Sequence, residues 1–362
     1  MSIDFIPIAS YSPIYYHVLL IITLITFLYT QGRNIDDANN LLYIKIAGFL
    51  LFWFVLLYMG LRPIDGVFAD MKTYARIFDR YEQGAIIRSD KDLFFHLFMK
   101  ASSGIMSASA FFFVCALFYV YPLYFLSKRW FGQYWFYAFL MLVGSFSFWA
   151  YGTNGIRNGM ATSFFLMAMC QTKKPYQIFW LFLSVNFHGS MFLPAAGLIA
   201  TWFYNKPKVF FYFWLLAIPL SLLLPGFWEG LFASLIEDDR TVYLSDDKYA
   251  DSFSSTGFRW DFLLYSATGV FAGWYYIFKR KFNDPQYIRL FNTFLFANAF
   301  WILVIRASFS NRFAYLSWFM LALVIIYPWL KVYFVNNQVK KMGLILIAYF
   351  AFTYLMNIFI YG

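Results

Sequence analysis

The sequence predicts an all-α polytopic integral membrane protein, a helical bundle of about 12 transmembrane helices with amphipathic helices on its outer face. Three observations carry that expectation. Hydrophobic residues make up 62% of the chain and charged residues only 13%, and mean hydropathy is +0.60. Apolar runs long enough to cross hydrocarbon recur from end to end. The basic residues behind the formal charge of +10 lie largely in short connections between those runs. There they report orientation, so the lipid bilayer is an expected partner and nucleic acid is not. Cys115 and Cys170 both fall inside apolar runs with no metal-type neighbour, so neither a disulfide framework nor a metal site is expected, and no motif asks for a cofactor. The whole chain, 1–362, reads as a single polytopic membrane domain.

Residues 1–13 carry no basic residue and no small-residue cleavage site, so no removable signal peptide is expected and the first span does the targeting. Spans one and two cover residues 14–29 and 41–60. Between 62 and 92 the chain balances six basic against six acidic residues. Within that segment Met71, Tyr74, Phe78 and Tyr81 recur at helical spacing against Lys72, Arg76, Asp79 and Arg80, the pattern of a helix lying on the membrane surface. Residues 93–107 are apolar but interrupted by His96, Lys100 and Ser102-Ser103-Gly104, which predicts an interfacial or re-entrant segment. Span three, 108–126, ends at Lys128-Arg129, and spans four (135–150) and five (160–170) flank a polar break. Residues 176–204 go out and back as two short spans around Asn186-Phe187-His188-Gly189, with span eight at 209–225. The longest polar connection is 237–261, and spans nine to twelve follow at 262–278, 290–305, 313–330 and 342–360.

Placing the lysine-rich connections in the cytoplasm orients every loop without conflict. Segments 62–92, 151–157, 186–190, 237–261 and 306–312 then share the outer face, and 61–107 with 236–261 are expected to form a lid over a site there. Arg157, Arg306 and Arg312 stand at outer ends of spans with no acidic residue inside those spans. An arginine at mid-bilayer costs about 2.5–3.5 kcal/mol, so each should face protein or ligand. Guanidinium groups suit phosphate oxygens. The alternative counter-charges are loop carboxylates or lipid headgroups. At the polar break, Thr153 or Asn154 can cap the helix that carries Arg157 and direct its free amides at an anion, while Gly155 and Gly159 permit close helix approach. His188, with Ser190 or Asn186 to orient it, can take a proton from a sugar hydroxyl. Asp70 is either the N-cap of the surface helix or a general base beside Tyr74, and Asp65 is a weaker candidate of the same kind. His17 and His96 read as structural. Glu237-Asp238-Asp239 and Asp246-Asp247 match no cation-binding spacing and read as a solvated cover.

These landmarks together resemble the bacterial polysaccharide-polymerase family EpsG, related in role to the Wzy O-antigen polymerases. Asp70-x3-Tyr74 resembles one of its elements. The run from Asn154 through Arg157 to Ala161 is similar to its Asn-x-x-Arg-Gln-x-x-Ala, with Asn158 in place of Gln. His188-Gly189-Ser190 resembles its His-x-Ser, and Arg312-x2-Tyr315 is a further match. The resemblance implies glycosyl transfer at the outer face of a bacterial inner membrane. An undecaprenyl-pyrophosphate-linked oligosaccharide would serve as donor and another as acceptor, with a chain-length regulator as a further partner. On that reading Arg157, Arg306, Arg312 and Asn154 would hold the pyrophosphate. His188 or Asp70 would act as base, and Tyr74, Tyr151 and Tyr315 would bind sugar. A flippase for the same lipid-linked glycan is the competing expectation, and that class shows internal symmetry and broken helices at mid-bilayer. A glycan ligase or acyltransferase shares the same arginine-plus-histidine logic.

Overall fold

The computed structural model describes residues 3–32, 35–89, 91–224, 226–235, 257–307 and 310–360. Every regular element among them is helical, and the chain forms two compact units, Met1–His188 with Trp329–Gly362, and Gly189–Pro328. By length and composition five helices can cross a membrane: Ile8–Thr30, Ala38–Gly60, Ala108–Val143, Ser310–Lys331 and Gln338–Ile360. The chain is therefore a multi-pass membrane protein. The acidic runs expected to cover the site, Glu237-Asp238-Asp239 and Asp246-Asp247, and most of 236–261 lie outside the described residues.

The first unit holds α1 (Ile8–Thr30), α2 (Ala38–Gly60), α3 (Met71–Glu82), α4 (Leu93–Ser103), α5 (Ala108–Phe131), α6 (Trp135–Val143), α7 (Phe148–Thr153), α8 (Ile156–Cys170), α9 (Lys174–Phe187) and the C-terminal α17 (Gln338–Leu355). Helix α5 is the hub, with α2, α6 and α8 packed on it, while α9 packs on α8 and α17 on α1. Helix α5 stops where Lys128 and Arg129 meet its carbonyl end and Gly132 takes φ 54°, a conformation cheap only for glycine. At 11 residues, α4 rises about 16 Å and is too short to span, in line with the interfacial expectation.

The predicted fourth span, 135–150, is not one helix. It breaks at Gly144–Ser147 into α6, every residue of which is buried, and the six-residue α7. A break inside an apolar bundle frees helix-end carbonyls that only protein can satisfy. Tyr15 donates to Val143 O at 2.8 Å, Tyr119 to Phe148 O at 3.0 Å, and the buried Arg62 to Thr153 O at 3.3 Å and Met59 O at 2.5 Å. Tyr15 thus satisfies the carbonyl end of α6, Tyr119 holds the first turn of α7, and Arg62 ties the end of α7 to that of α2. Ring stacking locks the same region, with Tyr15 against Trp149 at 4.3 Å and Tyr119 against Phe148 at 4.8 Å.

Helix α8 then turns back so closely over α7 that a Cβ at Gly159 would lie 2.6 Å from Tyr151 O. A backbone oxygen cannot move aside as a side chain can. Gly159→Ala is therefore expected to destabilise the protein by about 1–3 kcal/mol. Gly230→Ala, with no atom within 4 Å of its Cβ, should not. Thermal unfolding of both variants in detergent checks the contrast.

The second unit consists of α10 (Phe192–Phe203), α11 (Pro207–Leu223), α12 (Phe227–Leu235), α13 (Trp260–Trp274), α14 (Pro285–Leu303), α15 (Ser310–Trp318) and most of α16 (Leu321–Lys331). Helix α14 is its axis. Asp284 starts α14 by accepting from the amides of Gln286 and Tyr287, with Pro285 at the first position. At its centre Asn298 donates to Ser266 Oγ (3.0 Å) and Ser317 Oγ (2.9 Å) and accepts from Trp214 Nε1 (2.7 Å). Trp318 Nε1 also reaches Ser266 Oγ, at 2.7 Å. One buried amide thus ties α14 to α11, α13 and α15.

Candidate functional site

Helix α3 forms on the surface pattern expected of it. Met71, Tyr74, Phe78 and Tyr81 are its four buried residues, and Lys72, Arg76, Asp79 and Arg80 face outward. Its buried stripe packs on α4 and α5, with Tyr74 edge-on to Phe95 and Phe78 against Phe111. Between α3 and α4 the backbone reverses through Asp92, which sits in the left-handed region at φ 51°, ψ 40°. Asp and Asn tolerate that conformation better than other side chains with a Cβ.

The reversal brings Asp92 to Arg157. Arg157 Nη1 donates to Asp92 Oδ2 at 2.7 Å and Arg157 Nε donates to Tyr74 Oη at 2.9 Å, with the guanidinium carbon 5.5 Å from the centre of the Tyr74 ring. The side chains of Arg157 and Asp92 are 24% and 8% exposed. The pair is thus largely desolvated, with the arginine the more exposed partner. Burial, partly opposed by the Arg157 charge, pushes the Tyr74 phenol up to about 12, so it remains a neutral hydrogen-bonding group across the physiological range. The carboxylate of Asp70 is exposed and acts electrostatically on both Tyr74 and Arg157.

Two local expectations change. Neither Thr153 nor Asn154 caps α8. Gly155 takes that position without a side-chain bond, because Thr153 Oγ1 turns back to Trp149 O at 2.9 Å and Asn154 ends α7. Asp70 stands at the cap position just before α3 but in helical conformation, and its side chain makes no cap bond. Asp65 does cap, accepting from Val67 N at 2.9 Å beside Lys72 at 3.6 Å. That amide and Lys72 hold its carboxyl below the usual carboxylate range. Of the counter-charges the sequence left open for Arg157, the loop carboxylate is the one in place.

His188 ends α9 in extended conformation and is buried. Its level relative to Arg157 follows from the antiparallel packing of α8 and α9. Ser184 Oγ meets Ala161 O at 2.6 Å, and one helical turn beyond that contact, toward the same end, lie His188 on α9 and Arg157 on α8. On the other side of Arg157, α4 carries His96, whose Nδ1 is 2.9 Å from Tyr81 Oη. Burial and the nearby Arg157 charge hold this imidazole below its ordinary range.

Arg157, Tyr74 and Asp70, together with the left-handed turn that supplies Asp92, follow an apolar helix in the order the sequence landmarks require. Residues 45–362 match the EpsG family. The chain belongs to the EpsG family. No curated protein and no solved structure matches it.

EpsG membership points to a membrane polysaccharide polymerase, and the matched stretch contains every residue of the cluster. The remaining expected EpsG site residues separate by unit. Tyr151 is buried and Asn154 is partly exposed at the α7–α8 break in the first unit. Arg306, Arg312 and Tyr315 belong to the second. There Arg306 is exposed, 5.8 Å from the Phe258 ring centre. Arg312 is exposed at the start of α15, and Tyr315 is buried and packs beside Trp318. Asp92 was missed by sequence reasoning. The only signal for it was its place immediately before an apolar run, which marks an N-cap rather than an arginine partner.

Proposed function

We propose that this EpsG protein is a glycosyltransferase that polymerises undecaprenyl-pyrophosphate-linked oligosaccharide repeat units at the outer face of a bacterial inner membrane. The observation that carries the reading is Arg157. It is a guanidinium at the start of an apolar helix, held by a phenol and a carboxylate and still partly exposed, which suits a membrane-anchored diphosphate. In this role Arg157 takes up the negative charge that develops on the departing pyrophosphate, Tyr74 and Tyr151 line the sugar, and Asn154 binds beside the phosphates. His188 or Asp70 accepts the proton of the attacking hydroxyl. Arg306 and Arg312 are further candidates for pyrophosphate and Tyr315 for sugar. The topology follows the charge rule, with lysine-rich connections inside and about a dozen crossings of the bilayer, and segment 61–107 lies over the site.

The helix broken at Gly144–Ser147 gives one observation in favour of a flippase for the same lipid. Purified protein in liposomes, supplied with a synthetic lipid-linked repeat unit, separates the readings. A ladder of lengthened products supports the polymerase. Leaflet exchange without lengthening replaces it with the flippase, and transfer to a different acceptor replaces it with a ligase.

A further inference from the structure

His96 reads in the sequence as a structural residue, yet its surroundings are those of an oriented base. It lies one helical turn after Asp92 on α4, and its amide donates to Asp92 O at 3.3 Å. Asp92 is the left-handed residue that leads into the first turn of α4, and its carboxylate is the one bonded to Arg157. Helix α3 runs alongside, and at positions two turns apart on it Tyr74 meets Arg157 and Tyr81 meets His96. The Tyr81 bond occupies Nδ1 at 2.9 Å and fixes the ring, which leaves Nε2 as the nitrogen available to a reactant. Both side chains are buried, His96 at 7% and Tyr81 at 8% exposure, so the ring is held rather than mobile. In the tautomer whose Nδ1–H donates to the Tyr81 oxygen, Nε2 is the bare nitrogen that a base requires.

We infer that His96, oriented by Tyr81, takes the place of His188 or Asp70 as the base that deprotonates the acceptor sugar hydroxyl, beside the Arg157 contact with pyrophosphate. This rests on the polymerase reading above. The hydroxyl oxygen forms a bond to the anomeric carbon of the donor. The bond from that carbon to the pyrophosphate oxygen breaks, and its electron pair stays on the oxygen beside Arg157. The hydroxyl proton passes to Nε2 and later to water. The imidazolium formed is stabilised by the Tyr81 oxygen.

The titratable and charged groups around His96 are Tyr74 and Tyr81 on α3, Arg157 on α8, His188 at the end of α9, and Asp92 and Lys100 on its own helix. The faces of α5 and α9 packed on α4 bring Phe111, Phe118, Phe182 and Phe187. Burial and Arg157 keep the imidazole neutral, which is the form a base needs at neutral pH. A bound diphosphate offsets the Arg157 charge and raises the basicity of His96 at the moment it is used. The sign is then fixed. The rate is full where His96 is neutral and falls as pH drops through its pKa.

The test is the pH–rate profile of repeat-unit polymerisation in liposomes for wild type, His96→Gln and Tyr81→Phe. His96→Gln keeps a hydrogen bond to Tyr81 but cannot take a proton. It is expected to lower the turnover number by about 10²–10⁴-fold with the donor KM unchanged, and to erase the acid limb of the profile. Tyr81→Phe is expected to keep the limb but shift it, with a smaller loss of rate. A wild-type-like rate and acid limb in folded His96→Gln overturns the assignment while the polymerase reading stands. If His96→Gln does not fold, an unshifted limb in Tyr81→Phe overturns it instead. Absence of any polymer from wild type removes the polymerase reading, and this role falls with it.

Discussion

Arg157→Ala is expected to lower polymer formation by about 10²–10³-fold, the loss seen when a preorganised donor to a developing oxyanion is removed. Arg157→Lys keeps the charge but offers a single point donor, which cannot reach Tyr74 Oη and Asp92 Oδ2 from one rigid plane. It should recover little of the rate. Asp92→Asn separates the two contributions of the pair. Asparagine also tolerates the left-handed turn at φ 51°, so the fold of the α3–α4 segment should persist while Arg157 loses its counter-charge. Product ladders resolved on gels after a fixed reaction time, with protein amounts matched by size-exclusion profile, measure all three variants. Unchanged polymer yield and length in folded Arg157→Ala would contradict the assignment.

The second large effect is on stability and lies far from that cluster. Asn298 is fully buried, and all three of its side-chain hydrogen bonds run to other helices of its unit. Asn298→Leu has similar volume but leaves the Trp214 indole N–H without its acceptor and removes the donors to Ser266 and Ser317. Stranding a buried polar group costs about 1–3 kcal/mol, and within a helical bundle in lipid no water replaces the lost partner. A clear drop in melting temperature is expected, with the first unit retaining its near-ultraviolet circular dichroism longer than the second. A melting curve that matches wild type would show that the amide is dispensable.

The sequence by itself determined what depends on short-range pattern. Apolar runs required helices in a membrane, and the 3.6-residue rhythm of Met71, Tyr74, Phe78 and Tyr81 dictated both α3 and its buried face. Small and polar residues between Ala150 and Met160 marked the break before Arg157, and Gly159 marked the close crossing. The spaced motifs carried the EpsG membership. These features need only neighbours along one helix, so they can be read from one segment at a time.

Only the tertiary structure decided which groups meet. Asp92 and Arg157 are 65 residues apart in the chain and join because a left-handed residue at the start of α4 presents its carboxylate to the first turn of α8. Nothing in the local sequence separates a carboxylate that caps its own helix from one that reaches another. The Gly144–Ser147 break was hidden for a related reason. An apolar run of that composition reads as a continuous span, and the Val143 carbonyl freed at the end of α6 finds its donor in Tyr15 of α1, 128 residues away. His96 follows the same logic, since its surroundings come from α3 and α8 and its own helix shows only a histidine in an apolar run.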